Sequence, residues 1–358
     1  MRAIDLFCGT GGFSHGAHAA GFEVAGAFDL DETLTSSFRY NFPETKLVIG
    51  DLSKNTGEGL LKAAGGPVDL VFGGPPCQGF SSIGHRRKDD PRRSLLGHFF
   101  RLVGEVRPRA FVMENVQGLA YHDALPELRA AIDALPKSYC LLDPLILNAA
   151  DFGAATVRKR LFVIGYDPSR CSPITQRDFE SRKSTGATVA DAFSGLAEAQ
   201  MIADDGYFDI WQMPAEAQLS SYARALADED LRYTGNRRTK HTDAVQTRFA
   251  SVRQGSADPV GRHPRLSWSG QCPTLRAGTG SDVGSYQSVR PLHPDEPRVI
   301  TVREAARLQG FPDRHLFHPT IWHSFRMIGN SVSPLISRAV LGAVAEKLAD
   351  SEISKKAA

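Results

Sequence analysis

The chain has no Cys-x-x-Cys pair. Its five cysteines, Cys8, Cys77, Cys140, Cys171 and Cys272, are odd in number and widely spaced over 358 residues. That spacing argues against a disulfide framework and a zinc site, and for a reducing compartment. No metal ligand set is expected. Charge of one sign is lacking too: 42 Lys and Arg oppose 40 Asp and Glu, a formal net charge of +2. A surface for nucleic acid would therefore have to be local. No apolar run approaches the roughly 20 residues needed to cross a bilayer. The first residues, Met1-Arg2-Ala3-Ile4-Asp5, lack the apolar stretch and cleavage site of a signal peptide. A cytoplasmic protein with no membrane partner is the expectation. Internal repeats and low-complexity tracts are absent as well.

What is present is enough apolar material, 42% of residues, to build one large domain or two ordinary ones. In the first half, apolar runs alternate with amphipathic segments. Strands are predicted at residues 3–7, 24–28, 47–49, 68–72, 110–113 and 161–165, and helices at about 14–20 and 95–107. Strands alternating with helices predict an α/β fold with a doubly wound, mostly parallel sheet. Ligands of such sheets sit at the carboxyl ends of the strands. From about Ser172 to Arg262 the texture turns polar, and residues 264–297 are rich in Gly, Ser and Pro. This stretch reads as a second domain or a long insertion. A helix is predicted over 301–309 and another over 334–348, followed by a frayed tail from Asp350.

Residues suited to chemistry do fall just after predicted strands. Asp5-Leu6-Phe7-Cys8-Gly9-Thr10-Gly11-Gly12 is a glycine-rich strand-to-helix turn that lets backbone approach a ligand. Asp29, ending the second strand, can bind a ribose hydroxyl pair. Asp51, after the third, can accept from an adenine amino group. Each acid alone could be a surface turn residue; together they outline a nucleoside site. Gly73-Gly74-Pro75-Pro76-Cys77 ends the fourth strand, and two prolines fix the backbone before the thiol. Glu114-Asn115-Val116 follows the fifth strand and faces the same crevice. Arg158-Lys159-Arg160 precedes another strand and could grip a phosphate or a base carbonyl.

These motifs, in this order, resemble the bacterial C5-cytosine DNA methyltransferase family over essentially the whole chain outside its middle. Pro75-Pro76-Cys77-Gln78 is similar to the family's nucleophile motif, and Glu114-Asn115-Val116 to its second catalytic motif. Thr301-Val302-Arg303-Glu304 with Arg307-Leu308-Gln309-Gly310-Phe311-Pro312 resembles its late helix motif, and Gly329-Asn330-Ser331-Val332 its last one. Two departures stand out. Thr156 occupies the place of a Gln that often precedes the two arginines. Asp29-Leu30 replaces a Glu followed by a bulky ring, so the adenine face here is aliphatic.

The resemblance implies a Rossmann-like S-adenosylmethionine-dependent methyltransferase with an inserted target-recognition domain. The expected division is a catalytic domain over 1–171 completed by 320–358, with recognition over 172–319. The implied catalytic residues are Cys77, Glu114, Arg158 and Arg160. Cys77 would add to C6 of a flipped-out cytosine, Glu114 would serve N3, and the arginines O2. S-adenosylmethionine would lie on Phe7, Gly9, Thr10, Gly11, Gly12, Asp29, Leu30, Asp51, Leu52, Pro76, Leu95, Asn330 and Ser331, leaving as S-adenosylhomocysteine. The basic segment 81–94 would close over DNA. Gln78, Ser81, Arg86, Arg87, Arg237, Arg238 and Lys240 are the expected DNA contacts. Double-stranded DNA is the implied partner of a monomer; the family's restriction–modification setting allows a cognate endonuclease acting separately. A tRNA cytosine methyltransferase, a non-catalytic DNA-binding relative and a nicotinamide oxidoreductase are the competing readings. The intact cysteine and carboxylate weigh against the second, and Pro-Pro-Cys with Glu-Asn-Val against the third.

Overall fold

A computed structural model of the chain describes residues 1–76, 94–121, 124–133, 135–278 and 289–357, with Ser94 and residues 352–357 described in backbone only. It forms two compact units. The first comprises residues 1–148, 159–183 and 336–358; the second comprises 149–158 and 184–335.

The first unit is built on an eight-stranded sheet. Its strands are β1 (Arg2–Leu6), β2 (Glu23–Asp29), β3 (Lys46–Ile49), β4 (Leu70–Gly73), β5 (Ala110–Val116), β6 (Cys140–Leu141), β7 (Leu145–Asn148) and β8 (Lys159–Tyr166). The order is β3-β2-β1-β4-β5-β8-β6, with β7 also paired to β8. Neighbours from β3 to β5 are parallel, while β8 runs antiparallel to β5, β6 and β7. The mostly parallel sheet expected from the alternation is therefore present. β4 reads as an unbroken apolar run because both of its faces are covered, and β1 does so but for Arg2 and Asp5. The two strands pack so closely that a Cβ on Gly73 would lie 2.1 Å from the Leu6 carbonyl oxygen. Only glycine can close β4 here.

β5 and β8 are longer than predicted. Glu114 and Asn115 interrupt the apolar run, yet every residue from Ala110 to Val116 pairs across to β8, from Tyr166 back to Arg160. The ladder carries the strand past the point where its hydrophobic pattern stops.

The last helix also exceeds its prediction, running from Pro334 to Ala357. Arg109 explains part of this. One of its Nη atoms donates to the carbonyl of Leu348 at 2.6 Å and to Ser351 Oγ at 2.6 Å, so the chain is held beyond residue 348. The segment Ile321–Ser351 is long and apolar enough to meet a length and composition test for a bilayer span. Val340, Leu341, Val344 and Leu348 are nevertheless 0% exposed, as expected of core helix. Near its start this helix meets the helix Gly12–Ala19, where a Cβ on Gly16 would lie 2.5 Å from the Arg338 amide nitrogen.

The compact units divide the chain at other points than the expected 1–171, 172–319 and 320–358. Residues 172–183 belong to the first unit because Ser172 N–H donates to the Lys347 carbonyl at 3.2 Å, and Lys347 pairs with Asp178 at 3.0 Å. Residues 149–158 belong to the second, where Thr156 Oγ1 donates to the Cys272 carbonyl at 2.9 Å. Residues 320–335 also lie there: Gln309 reaches the Ile328 carbonyl and Ser333 the Gln309 carbonyl, both at 2.6 Å.

The second unit has little regular structure. Its sheet has three short antiparallel strands, β9 (Gln200–Asp204), β10 (Asp209–Gln212) and β11 (Arg232–Thr234). Buried arginines replace ladders as donors. Arg303 donates to the carbonyls of Thr234, Pro312 and His315, and Arg307 to those of Ala192 and Ser194. Arg307 also pairs with Asp313 at 2.6 Å, with both side chains fully buried.

Candidate active site

At the end of β1 the chain turns sharply. Phe7, Gly9 and Gly11 adopt left-handed backbone, with φ of 61°, 51° and 91°. Phe7 is not a glycine, so its conformation is strained, a feature typical of functional loops. The turn is pinned by Cys8 N–H to the Phe28 carbonyl at 3.1 Å and by Gly9 N–H to Asp29 Oδ2 at 2.8 Å. Gly11 has no room for a side chain, since its Cβ would lie 2.2 Å from the Phe42 ring. Gly9 is different: no described atom lies within 4 Å of where its Cβ would be. The loop is thus closed behind and open in front. Thr10 is 2% exposed, and its hydroxyl lies 3.4 Å from that of Ser37, so its side chain faces inward.

Asp29 ends β2 as expected and is half-buried. Its other oxygen accepts the Asp31 amide at 2.9 Å. Burial pushes its carboxyl above the usual range, against the pull of these amides. Beside it Leu30 is 65% exposed, an aliphatic surface at a strand end. Asp51 lies past β3, its carboxyl held low chiefly by hydrogen bonding to Ser53. Leu52 is buried in the core, so only its backbone can face a ligand. Leu95 is half-buried in the helix Ser94–Val106.

Beneath the loop Asp5 is 1% exposed. Ser14 Oγ donates to its Oδ2 at 2.6 Å, while Oδ1 has no hydrogen-bond partner among the described residues. Burial, reinforced by the Asp29 charge, drives the Asp5 carboxyl well above its ordinary value. Asp5 and Ser14 were not singled out from sequence. The available signal was an acid inside the apolar strand Ala3-Ile4-Asp5-Leu6.

The second cluster joins β4 to β5. Glu114, Val116, Phe162 and Arg160 share one face, because Glu114 pairs with Phe162 and Val116 with Arg160 across the antiparallel ladder. Arg160 Nε meets Glu114 Oε1 at 2.9 Å with both side chains largely buried. A Cβ on Gly74 would lie 3.1 Å from Glu114 Oε2, so the glycine lets the β4 exit run alongside the carboxylate. Asn115 Nδ2 donates to the Pro75 carbonyl at 3.2 Å and ties the diproline to β5. Asn115, named in the motif without a role, is the residue that fastens the two strand ends together.

Cys77 follows this tie by two residues but lies outside the described residues, as do Gln78, Ser81, Arg86 and Arg87. Pro76 is described and half-buried. The other cysteines have little claim to the nucleophile's role. Burial raises the thiols of Cys8, Cys171 and Cys272, that of Cys171 to about 11. Cys140 is exposed on β6, the outer strand of the sheet. A thiol must ionise to attack.

The remaining expected site residues belong to the second unit. Arg158 is 2% exposed and donates to the carbonyls of Leu275 at 3.1 Å, Gly329 at 2.7 Å and Ser331 at 2.8 Å. Its burial does not match the expected contact with a substrate base; it holds backbone on both sides of Asn330. Asn330 itself is exposed and Ser331 half-buried. Arg237 pairs with Asp204, and Arg238 with Glu296 at 2.9 Å, while Lys240 is exposed.

A family profile for the C-5 cytosine-specific DNA methylases matches residues 1–346. The chain is 40% identical to the Type II methyltransferase M.XorII of Xanthomonas oryzae pv. oryzae, over 96% of this chain and 84% of that protein. It is 30% identical to M.DdeI of Desulfomicrobium norvegicum, over 95% and 87%. Among solved structures, a DNA modification methyltransferase encoded within a prophage, from E. coli, superposes with a TM-score of 0.82. It is 36% identical, over 98% of this chain and 99% of that one. The Dnmt2 methyltransferase of S. pombe shares the fold at a TM-score of 0.60 and 16% identity, over 98% and 99%. The ordered motifs, the mainly parallel sheet and these matches agree: the chain belongs to the C-5 cytosine-specific DNA methylase family and is a DNA cytosine-5-methyltransferase.

Proposed function

We propose that the enzyme methylates C5 of a cytosine turned out of double-stranded DNA, through a covalent bond between Cys77 and C6. The observation that carries this reading is the junction of β4 and β5. There Asn115 holds the diproline exit beside Glu114, and Arg160 fixes the carboxylate. Cytosine C5 alone is too poor a nucleophile to take a methyl group. Addition of the Cys77 thiolate to C6 makes C5 electron-rich, and Glu114 takes up the change at N3 by hydrogen bonding or proton transfer. Once C5 carries the methyl group it loses its proton, and the C6–S bond breaks to restore the ring. A stacked base cannot be reached this way, so extrusion costs a few kcal/mol. Arg160 acts as a positioning residue for Glu114. Arg158 acts likewise on the backbone flanking Asn330.

The residues at β1 to β3 fit S-adenosylmethionine, which supplies an electrophilic methyl group when bound. The open side of Gly9 suits close approach of a ligand to backbone, Asp29 a ribose, Leu30 the adenine face and Asp51 its amino group. Asp5 Oδ1, buried without a hydrogen-bond partner among the described residues, suits a cationic or hydrogen-bond-donating group. Asn330 and Ser331 are proposed to complete this set. The segment 81–94 and the exposed bases of the second unit would contact DNA, and a cognate endonuclease would act separately.

Bisulfite sequencing of DNA from cells expressing the protein tests the reading. Protected cytosines within one recurrent sequence are expected, and their loss with Glu114→Gln. An unprotected genome would overturn it.

A further inference from the structure

The basic run at residues 236–241 is the part of the second unit that sequence points to for DNA contact, yet Arg237 and Arg238 are both engaged with carboxylates. A different element has the build of a reader. Residues 257–264 form a closed turn, with a bridge between Ala257 and Pro264. Asp258 N–H donates to the His263 carbonyl at 2.9 Å, and Arg262 N–H to the Asp258 carbonyl at 3.0 Å. The Asp258 side chain is fully buried. It accepts the Gly261 amide at 2.5 Å and pairs with Arg248 at 2.9 Å. Gly261 is needed, because a Cβ there would lie 2.5 Å from the His263 ring. His263 Nδ1 is in turn 2.7 Å from the Arg290 carbonyl.

This scaffold displays two side chains that folding alone does not require. Val260 is 70% exposed, among the most exposed large apolar residues described. Arg262 is exposed and sits in left-handed backbone, φ 55°, which a glycine would occupy without strain. A strained, exposed arginine on a turn tied by these hydrogen bonds, beside an exposed valine, is placed to make an outward contact. The turn's one acid is buried, so what it shows to a polyanion is a cation and an apolar tip. Phosphate contacts need only charge, whereas preformed geometry is what base edges demand.

We propose that the turn Asp258–His263 reads DNA sequence, presenting Arg262 and Val260 to base edges within the recognition site. The inference rests on the DNA-methylating reading above. Arginine would meet a guanine edge and valine a thymine methyl or another apolar edge.

Arg262→Gly makes the test clean, since it removes the side chain while suiting the backbone; its melting temperature should equal or exceed the wild type's. Methylation is measured on a cognate duplex, defined by bisulfite sequencing, and on singly substituted duplexes. Discrimination at one position of the site should fall roughly 5- to 150-fold in Arg262→Gly. Val260→Ala should relax a neighbouring position by less. Unchanged discrimination in both variants would overturn the proposal. So would a uniform loss of affinity across all duplexes with a shallower salt dependence, because that marks a phosphate contact. If the wild type methylates no DNA cytosine, both readings fall; if it does and only the variants disagree, the turn's role alone falls.

Discussion

The two units differ in how far they rely on buried arginines to satisfy the backbone. In the first, strands satisfy the backbone, and the acids of interest sit within the carboxyl-terminal halves of β1 and β5 or, as Asp29, at the last residue of β2. In the second, irregular chain leaves carbonyls that need donors, and Arg158, Arg265, Arg303 and Arg307 are sunk to supply them. An arginine in this enzyme can therefore be a rivet for irregular chain. The same residue type cannot be assigned a role until its burial is known.

The sharpest way to break that contrast is Arg307→Ala. It strips a fully buried Asp313 of its main partner and leaves two carbonyls short of a donor. A loss of about 3–5 kcal/mol in urea unfolding is expected; a loss below about 1 kcal/mol would mean that the network is ornamental. Glu114→Gln should do the reverse, cutting kcat about 10²- to 10³-fold while melting temperature and DNA affinity stay near wild type. If it unfolded the protein instead, the Glu114–Arg160 pair would be another rivet.

Glycines sharpen the comparison within the first unit. Gly73→Ala forces a methyl against the Leu6 carbonyl and should cost about 1–3 kcal/mol by thermal unfolding. Gly50→Ala, facing open space, should stay within about 0.5 kcal/mol. Equal losses would show that the β1–β4 approach is not the constraint.

The smallest effect expected is on pH. Burial raises the Asp5 carboxyl well above its ordinary value, so the folded chain binds that proton more tightly than the unfolded chain. The stability this contributes is complete below the unfolded value and is lost as pH rises through the folded one. Asp5→Asn cannot lose it. The variant should therefore gain on the wild type as pH climbs from acid to neutral in parallel urea titrations. Parallel curves would contradict the assignment.

Much of this site was legible because its chemistry follows strands whose apolar pattern is plain. Asp29, Asp51 and the glycine turn lie where alternation of strand and helix puts them, while Glu114 lies inside β5 rather than after it. What was not legible depended on distant partners. Arg158 and Arg160, two residues apart, fall in different units because β8 begins between them, at Lys159. Arg237 reads as a DNA contact until Asp204 is found beside it, and residues 172–183 read as the start of the second domain or insertion until Lys347 and Glu346 claim them. Composition shows the texture of a segment but not the unit against which it packs.

The central claim is that the β4 exit delivers a nucleophilic sulfur next to Glu114. Incubation with S-adenosylmethionine and duplex DNA carrying 5-fluorocytosine at the target position tests it, because fluorine at C5 cannot leave as the proton does. Wild-type protein should form a denaturation-resistant adduct with the DNA and Cys77→Ser none. An adduct that persists in Cys77→Ser would contradict the account.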